Sequence, residues 1–194
     1  MRISPCMTNH VTQHSYLDLI ELFNASFKDS HNTVLISGAE EPLYQPCAEG
    51  GVIYFREDFF SSALHEIAHW CIAGEERRRQ VDYGYWYITD GRNENQQADF
   101  FSAEVKPQAL EWLFSIACNY SFSVSVDNVN AATSNLDWNT WERLEEDKNR
   151  FKSACFKQAS DWLACSIPTR ADRFITALLA YYRPGYELSV ADLK

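Results

Sequence analysis

The sequence predicts an α+β fold, a helix-rich single domain carrying a small β-sheet. Stretches with apolar residues at helical spacing make up most of the chain. Two short runs, TVLISG (33–38) and GVIYF (51–55), stand apart from them, because β-branched and aromatic residues dominate and Gly bounds them. The 194 residues are 46% hydrophobic and 14% aromatic, which suits one packed core. No internal repeat or low-complexity block divides the chain, so residues 1–194 read as one domain.

The first helix is expected over about residues 15–28, where Leu17, Ile20, Leu22, Phe23 and Phe27 share a broad face. The two strands follow, and EEPLYQP between them reads as loop. A helix then opens at Asp58, a good N-cap, or at Ser61 or Ser62, and stops at Gly74. EERRRQ reads as a charged turn and DYGYWYI (82–88) as a strand. A further helix runs from about Glu94 towards Glu104, and Pro107 either kinks it or opens a second helix reaching about Asn119. Residues 121–137 are low in charge and rich in Ser and Asn, and read mostly as a connection. Trp141, Leu144, Phe151, Cys155, Ala159 and Trp162 mark a long amphipathic helix. The last helix begins near Thr169, spaced to cap onto Asp172, and ends at Arg183-Pro184-Gly185.

The formal net charge of -10 disfavours general binding to nucleic-acid phosphates and to anionic membranes. The N-terminal segment MRISPCMTNHVTQHSYLDLIELF has no secretory hydrophobic region, and no later run is long enough to span a bilayer. The six cysteines contain no C-x-x-C pair and read as free thiols of a cytoplasmic protein. A monomer is expected, with neither nucleic acid nor membrane as a partner.

LHEIAHWCIAG (64–74) carries the chemistry. His65, Glu66 and His69 form H-E-x-x-H, and residues four apart on a helix share a face, so both imidazoles can reach one ion. Phe60, Leu64, Ile67 and Cys71 fall on the opposite side, which gives the helix an apolar back for the core. A catalytic ion needs a third protein ligand and an open position. Glu104 in AEVKPQALEW is the best candidate, followed by Glu111 and then Asp99 and Asp82. H-E-x-x-H with a Glu from a later helix would resemble the gluzincin arrangement. Glu66 points about a quarter-turn from His65, so it is expected to act as base or orienter and not as a ligand.

His10 and His14 are also four apart, but they lie in a polar terminus and are expected to be solvated. His31 sits among turn residues and is given no role. In DYGYWY the tyrosines alternate, and Asp82, Tyr83 and Tyr85 offer an aromatic face with one acid, suited to a cationic side chain. An ordinary aromatic strand in the core is an equal reading.

ALHEIAHWCIAG, RRR before DYGYWY, DGR, and EVKPQALEW occur in this order and together resemble the bacterial elongation factor P hydroxylase family. The resemblance runs from about residue 12 to residue 185 and is densest between 52 and 128. It implies a metal-dependent hydroxylase acting on a lysine of translation elongation factor P that already bears a β-lysyl group. It further implies iron(II) as cofactor and dioxygen as co-substrate, with His65, His69 and Glu104 as ligands and Glu66 beside them. Asp82, Tyr83 and Tyr85 would seat the cationic lysine. The electron donor and any 2-oxoglutarate requirement do not follow from the ligands. Two other readings stand beside it: a zinc metallopeptidase using the same residues with Glu66 as general base, and a non-catalytic module that binds the same factor.

Overall fold

A computed structural model describes residues 14–84, 92, 94–126 and 138–194. It is α+β, as the hydrophobic patterning predicts. Helix α1 (Tyr16–His31) leads into strands β1 (Thr33–Ala39), β2 (Leu43–Cys47) and β3 (Gly50–Arg56), then α2 (Phe60–Ile72). Two 3-10 turns follow, Arg77–Arg79 and Val81–Gly84, and then α3 (Glu94–Cys118), α4 (Trp138–Ala164) and α5 (Thr169–Tyr182). None of the described helices is long and apolar enough to cross a membrane.

Local chemistry explains the early elements. Ser15 caps α1 by accepting from the Leu17 N–H, and Asn32 ends it in the left-handed region (φ 45°), a conformation Asn tolerates. The sheet order is β1-β3-β2, with β1 parallel and β2 antiparallel to β3. Thr33, Leu35, Tyr44, Ile53 and Phe55 face the helices and are buried. Gly50 lies so close to the end of α1 that a Cβ there would stand 2.0 Å from the Asn32 carbonyl oxygen. Both sheet edges are engaged by side chains: the Leu35 N–H donates to Asn24 Oδ1 and the Tyr44 N–H to Asp82 Oδ1.

Several expectations are corrected. The stretch read as loop contains β2, an edge strand in which Pro46 is allowed because a ladder bond is not required of it. Helix α2 starts at Phe60 with Phe59 as a cap that makes no side-chain bond; Asp58 does not cap it, and Ser62 Oγ instead accepts from the Arg56 N–H. Val81–Gly84 is a turn, not a strand, with Asp82 (φ 49°) and Tyr83 (φ 59°) both left-handed. The rest of the expected strand, with Tyr85, lies outside the described residues. Pro107 neither ends α3 nor starts a second helix; the helix runs through it, losing only the bond that its missing N–H would make to Ala103. Pro168, not Thr169, is the cap residue of α5. His14 is not solvated: its Nε2 donates to the Cys118 carbonyl (2.8 Å), and its ring packs among Phe60, Tyr120 and Tyr182. His10 lies outside the described residues.

Helix α3 is the axis of the molecule. Its half from Ala109 to Cys118 is buried on most sides, and it packs against α2, α4 and α5. Within the same core, Phe23, Phe27, Trp70 and Phe174 join α1, α2 and α5, with ring centroids 4.8–6.3 Å apart. The C-terminal end of α2 is fixed by two arginines. Arg170 Nη2 donates to the carbonyls of Trp70 and Cys71 (3.0 Å each) and of Ala73, while Arg78 Nη1 donates to Ala73 (2.6 Å). The Arg170 guanidinium also lies over the Trp70 ring, 4.9 Å from its centroid. These cations satisfy orphan carbonyls at the negative end of the helix. Arg170→Met, which keeps the aliphatic stem, is expected to cost about 2 kcal/mol and lower the melting temperature by about 4–8 °C in a thermal scan.

Candidate metal centre

Helix α2 places His65 and His69 one turn apart on the face opposite Leu64 and Ile67, both of which are fully buried. Helix α3 crosses that face and brings in Glu104, only 2% exposed. The three side chains converge: His65 Nε2 and His69 Nε2 are 3.1 Å apart. Glu104 Oε2 is 3.4 Å from the first, and Glu104 Oε1 is 3.2 Å from the second. One donor atom from each residue lies within 4.8 Å of the others, which makes them a group able to hold a metal ion.

The donor set fits a divalent transition metal. Ligands about 2.0–2.2 Å from one ion stand roughly 3.0–3.5 Å apart, so the observed separations match neighbouring ligand positions. Two imidazoles and one carboxylate are a donor set suited to non-haem iron(II), and zinc accepts the same atoms; among the described residues no fourth protein donor joins the group.

Glu111, two turns beyond Glu104 on α3, is not in this triangle. Its Oε2 accepts from His65 Nδ1 at 2.9 Å, so it fixes a proton on Nδ1 and turns Nε2 towards Glu104. Sequence spacing named Glu111 only as an alternative ligand; its place behind His65 depends on how the two helices cross. Asp99 lies on the exposed surface of α3, away from the cluster. Asp82 is in the turn before α3, where its Oδ1 accepts from the Tyr44 N–H (2.8 Å).

Glu66 and Tyr83 form the next layer. Burial, opposed by His65 and His69 and reinforced by Glu104 and Asp82, lifts the Glu66 carboxyl above its usual range. Tyr83 is 3% exposed; its ring stacks parallel on His69 (6.0 Å, 6°) and on Tyr44 (4.4 Å, 12°). Sequence reasoning missed Tyr44, because nothing local marks a residue 38 positions from Asp82 as its partner. Cys155 of α4 is a nearby thiol that could compete for a metal as thiolate. Burial, with Glu104 and Glu111 adding to it, pushes its pKa to about 12, so it stays a protonated core residue.

The charge balance gives two predictions. Burial pulls the His65 imidazole down, but Glu104 and then Glu111 outweigh it and raise its pKa to about 10. The metal-free site therefore holds a proton on His65 at neutral pH. That proton stabilises the metal-free fold below pH about 6.5, the unfolded value, and its contribution is lost as pH rises through about 10. Binding of a divalent ion at pH 7.5 is expected to release about one proton, read by calorimetry in buffers of different ionisation enthalpy; no buffer dependence would show His65 already neutral. Glu111→Gln weakens the orientation of His65, and metal affinity is expected to fall about 10–100-fold in a competition titration.

Comparison with known proteins shows which family the chain resembles. A family model described as elongation factor P hydroxylase matches residues 22–193. A protein of Haemophilus influenzae named elongation factor P lysine hydroxylase is 40% identical over 182 residues, covering 92% of this chain and 96% of its own length. The matched region contains α2, α3 and every residue of the cluster. The chain therefore belongs to the elongation factor P hydroxylase family.

Proposed function

We propose that this chain hydroxylates the β-lysyl-modified lysine of elongation factor P, with iron(II) held by His65, His69 and Glu104 and dioxygen as co-substrate. Family membership makes it a protein-lysine hydroxylase. The observation that best supports the finer reading is the convergence of two Nε2 atoms and one carboxylate from α2 and α3. Iron(II) held there would supply the activation of dioxygen that an unactivated C–H bond requires.

The chain's own residues do the rest. Glu111 keeps the proton on His65 Nδ1, so the proton that an incoming ion would displace is the one on Nε2, which faces Glu104. Glu104 lies against both imidazoles, and its burial leaves its charge little screened by water. Tyr83, stacked on His69, closes one side of the site and holds that ring in place. We place the reaction in the cytoplasm, where a translation factor works.

The test is the mass of the modified lysine peptide from elongation factor P, isolated from cells with and without the gene. A gain of one oxygen is expected with the wild-type gene and is expected to disappear in His65→Ala and Glu104→Ala. The purified chain should consume dioxygen only with iron bound. Zinc-dependent peptide cleavage without oxygen gain would point instead to a metallopeptidase.

A further inference from the structure

The stripe of α3 that carries Glu104 and Glu111 also carries two glutamines. At about 100° per residue, Gln97, Glu104, Gln108 and Glu111 fall within about 60° of one another around the helix. Both glutamines reach the segment that follows α3. Gln108, 1% exposed, donates from Nε2 to the Ser125 carbonyl (2.8 Å) and accepts from the Ser125 N–H at Oε1 (2.9 Å). Gln97 Nε2 donates to the Val126 carbonyl (3.4 Å), and so does Arg92 Nη2 (3.1 Å). Arg92 is itself buried, donates through Nε to Gln97 Oε1 (3.0 Å) and lies over the Phe100 ring.

These bonds place the segment beside the candidate metal centre. Gln97 and Gln108 stand about 16 Å apart along the helix axis, yet they bond to adjacent peptide groups. Their side chains therefore lean towards each other, and the level between them is that of Glu104. Three side chains thus fasten the Ser125–Val126 end of the segment over the same stripe that supplies the carboxylate of the centre.

The segment itself, SFSVSV (121–126), alternates strictly. Ser121, Ser123 and Ser125 are exposed, Phe122 and Val126 are half-buried, and Val124 is buried. Phe122 stacks on Trp112 of α3 (5.0 Å, 20°). This is the pattern of a strand with one face on a core. Yet among the described residues no backbone–backbone hydrogen bond joins Phe122, Ser123 or Val124 to another segment. The Gln108 amide fills one rung in place of a neighbouring strand. Apolar contacts alone would let the segment slip, and a slip of one residue would turn the serines inward. A clamp on both polar groups of Ser125 forbids that slip. The result is an uncharged row of hydroxyls held in register beside the centre, in a chain of net charge -10. Hydroxyls and extended backbone match the N–H and C=O groups of a peptide, and carry no charge to select one side chain over another.

We propose that residues 121–126 are the ledge on which the peptide flanking the target lysine of elongation factor P lies, and that Gln108 is the positioning residue that keeps this ledge in register with Glu104. The assignment rests on the hydroxylase reading, which supplies a lysine-bearing protein as the partner. A peptide laid along the ledge in extended form presents its side chains alternately. The register of the ledge then decides which of them reaches the ligand set. Gln108 acts through Ser125 and not on the reacting atoms.

The experiment uses the full chain and β-lysyl-modified elongation factor P. Amide hydrogen exchange across residues 121–126 is expected to slow about threefold or more when the partner is bound. Ser123→Trp adds bulk at an exposed position; it should bind cobalt(II) as wild type does and raise KM about tenfold, with a smaller change in kcat. Gln108→Leu removes both bonds to Ser125 and should raise KM about tenfold while cobalt(II) affinity stays within about twofold. Exchange at 121–126 that does not change on binding overturns the ledge, as does an unmoved KM in Ser123→Trp. A Gln108→Leu variant that loses kcat or cobalt(II) with KM unmoved rejects the positioning role. Where Gln108→Leu does not fold, Gln108→Glu, which still accepts from the Ser125 N–H but cannot donate to its carbonyl, decides: a KM equal to wild type rejects that role. Slowed exchange with no oxygen gained by elongation factor P would sink the hydroxylase reading and leave the ledge standing. Oxygen gained with KM unmoved in both variants would do the reverse.

Discussion

A buried carboxylate cannot stand alone, and the rest of the site follows from that constraint on Glu104. At 2% exposure, deep in a helix packed against α2, α4 and α5, its charge needs a counter-charge at short range. Two imidazole nitrogens of α2 lie against it, at 3.4 and 3.2 Å. Without metal, the balance is struck by a proton on His65, whose pKa stands near 10. A divalent ion held there, as proposed, would satisfy the same carboxylate and also engage His69. Such an ion and the proton would compete for one place, which would couple metal uptake to pH.

The crossing of α2 and α3 has to be rigid for this to work. The apolar back of α2, with Leu64 and Ile67, sets its depth, and Arg170 and Arg78 hold its last carbonyls. On α3, Glu104 and Glu111 are seven residues apart and so project from the same side two turns apart. They reach opposite nitrogens of one imidazole. That pair of contacts clamps the His65 ring: rotating it to release one carboxylate breaks the bond to the other.

The sequence made much of this legible and left out the rest for physical reasons. His65 and His69 could be read because the i, i+4 rule needs only a helix, and the apolar spacing of Phe60, Leu64, Ile67 and Cys71 supplied one. Glu104 could be ranked first among the acids, but its partners could not be read, since they depend on interhelical distance and not on spacing. Strand β2 was hidden by its length of five residues and by Pro46, which argues against any central strand. The turn at Asp82 and Tyr83 was hidden more deeply. Alternating aromatics normally mean a strand, and left-handed backbone normally calls for Gly or Asn, so local propensity pointed the wrong way. Pro107 was expected to disturb α3, but one missing hydrogen bond is a small loss to a helix held by packing on three sides.

What overrode propensity at that turn is Tyr44, and through it the small sheet gains its place in the architecture. Tyr44 makes three contacts at once. Its N–H donates to Asp82 Oδ1, its ring stacks on Tyr83, and its hydroxyl donates to the Arg78 carbonyl (3.0 Å). Arg78 in turn caps α2. A single residue of an edge strand thus ties the sheet to the turn, and the turn to the helix that bears the histidines. Two consecutive left-handed residues cost about 1–3 kcal/mol each, and such strain persists only where surrounding contacts over-determine it. Those contacts place Tyr83 against His69. The strained turn and the sheet behind it thus bring one aromatic ring against His69, beside the candidate metal centre.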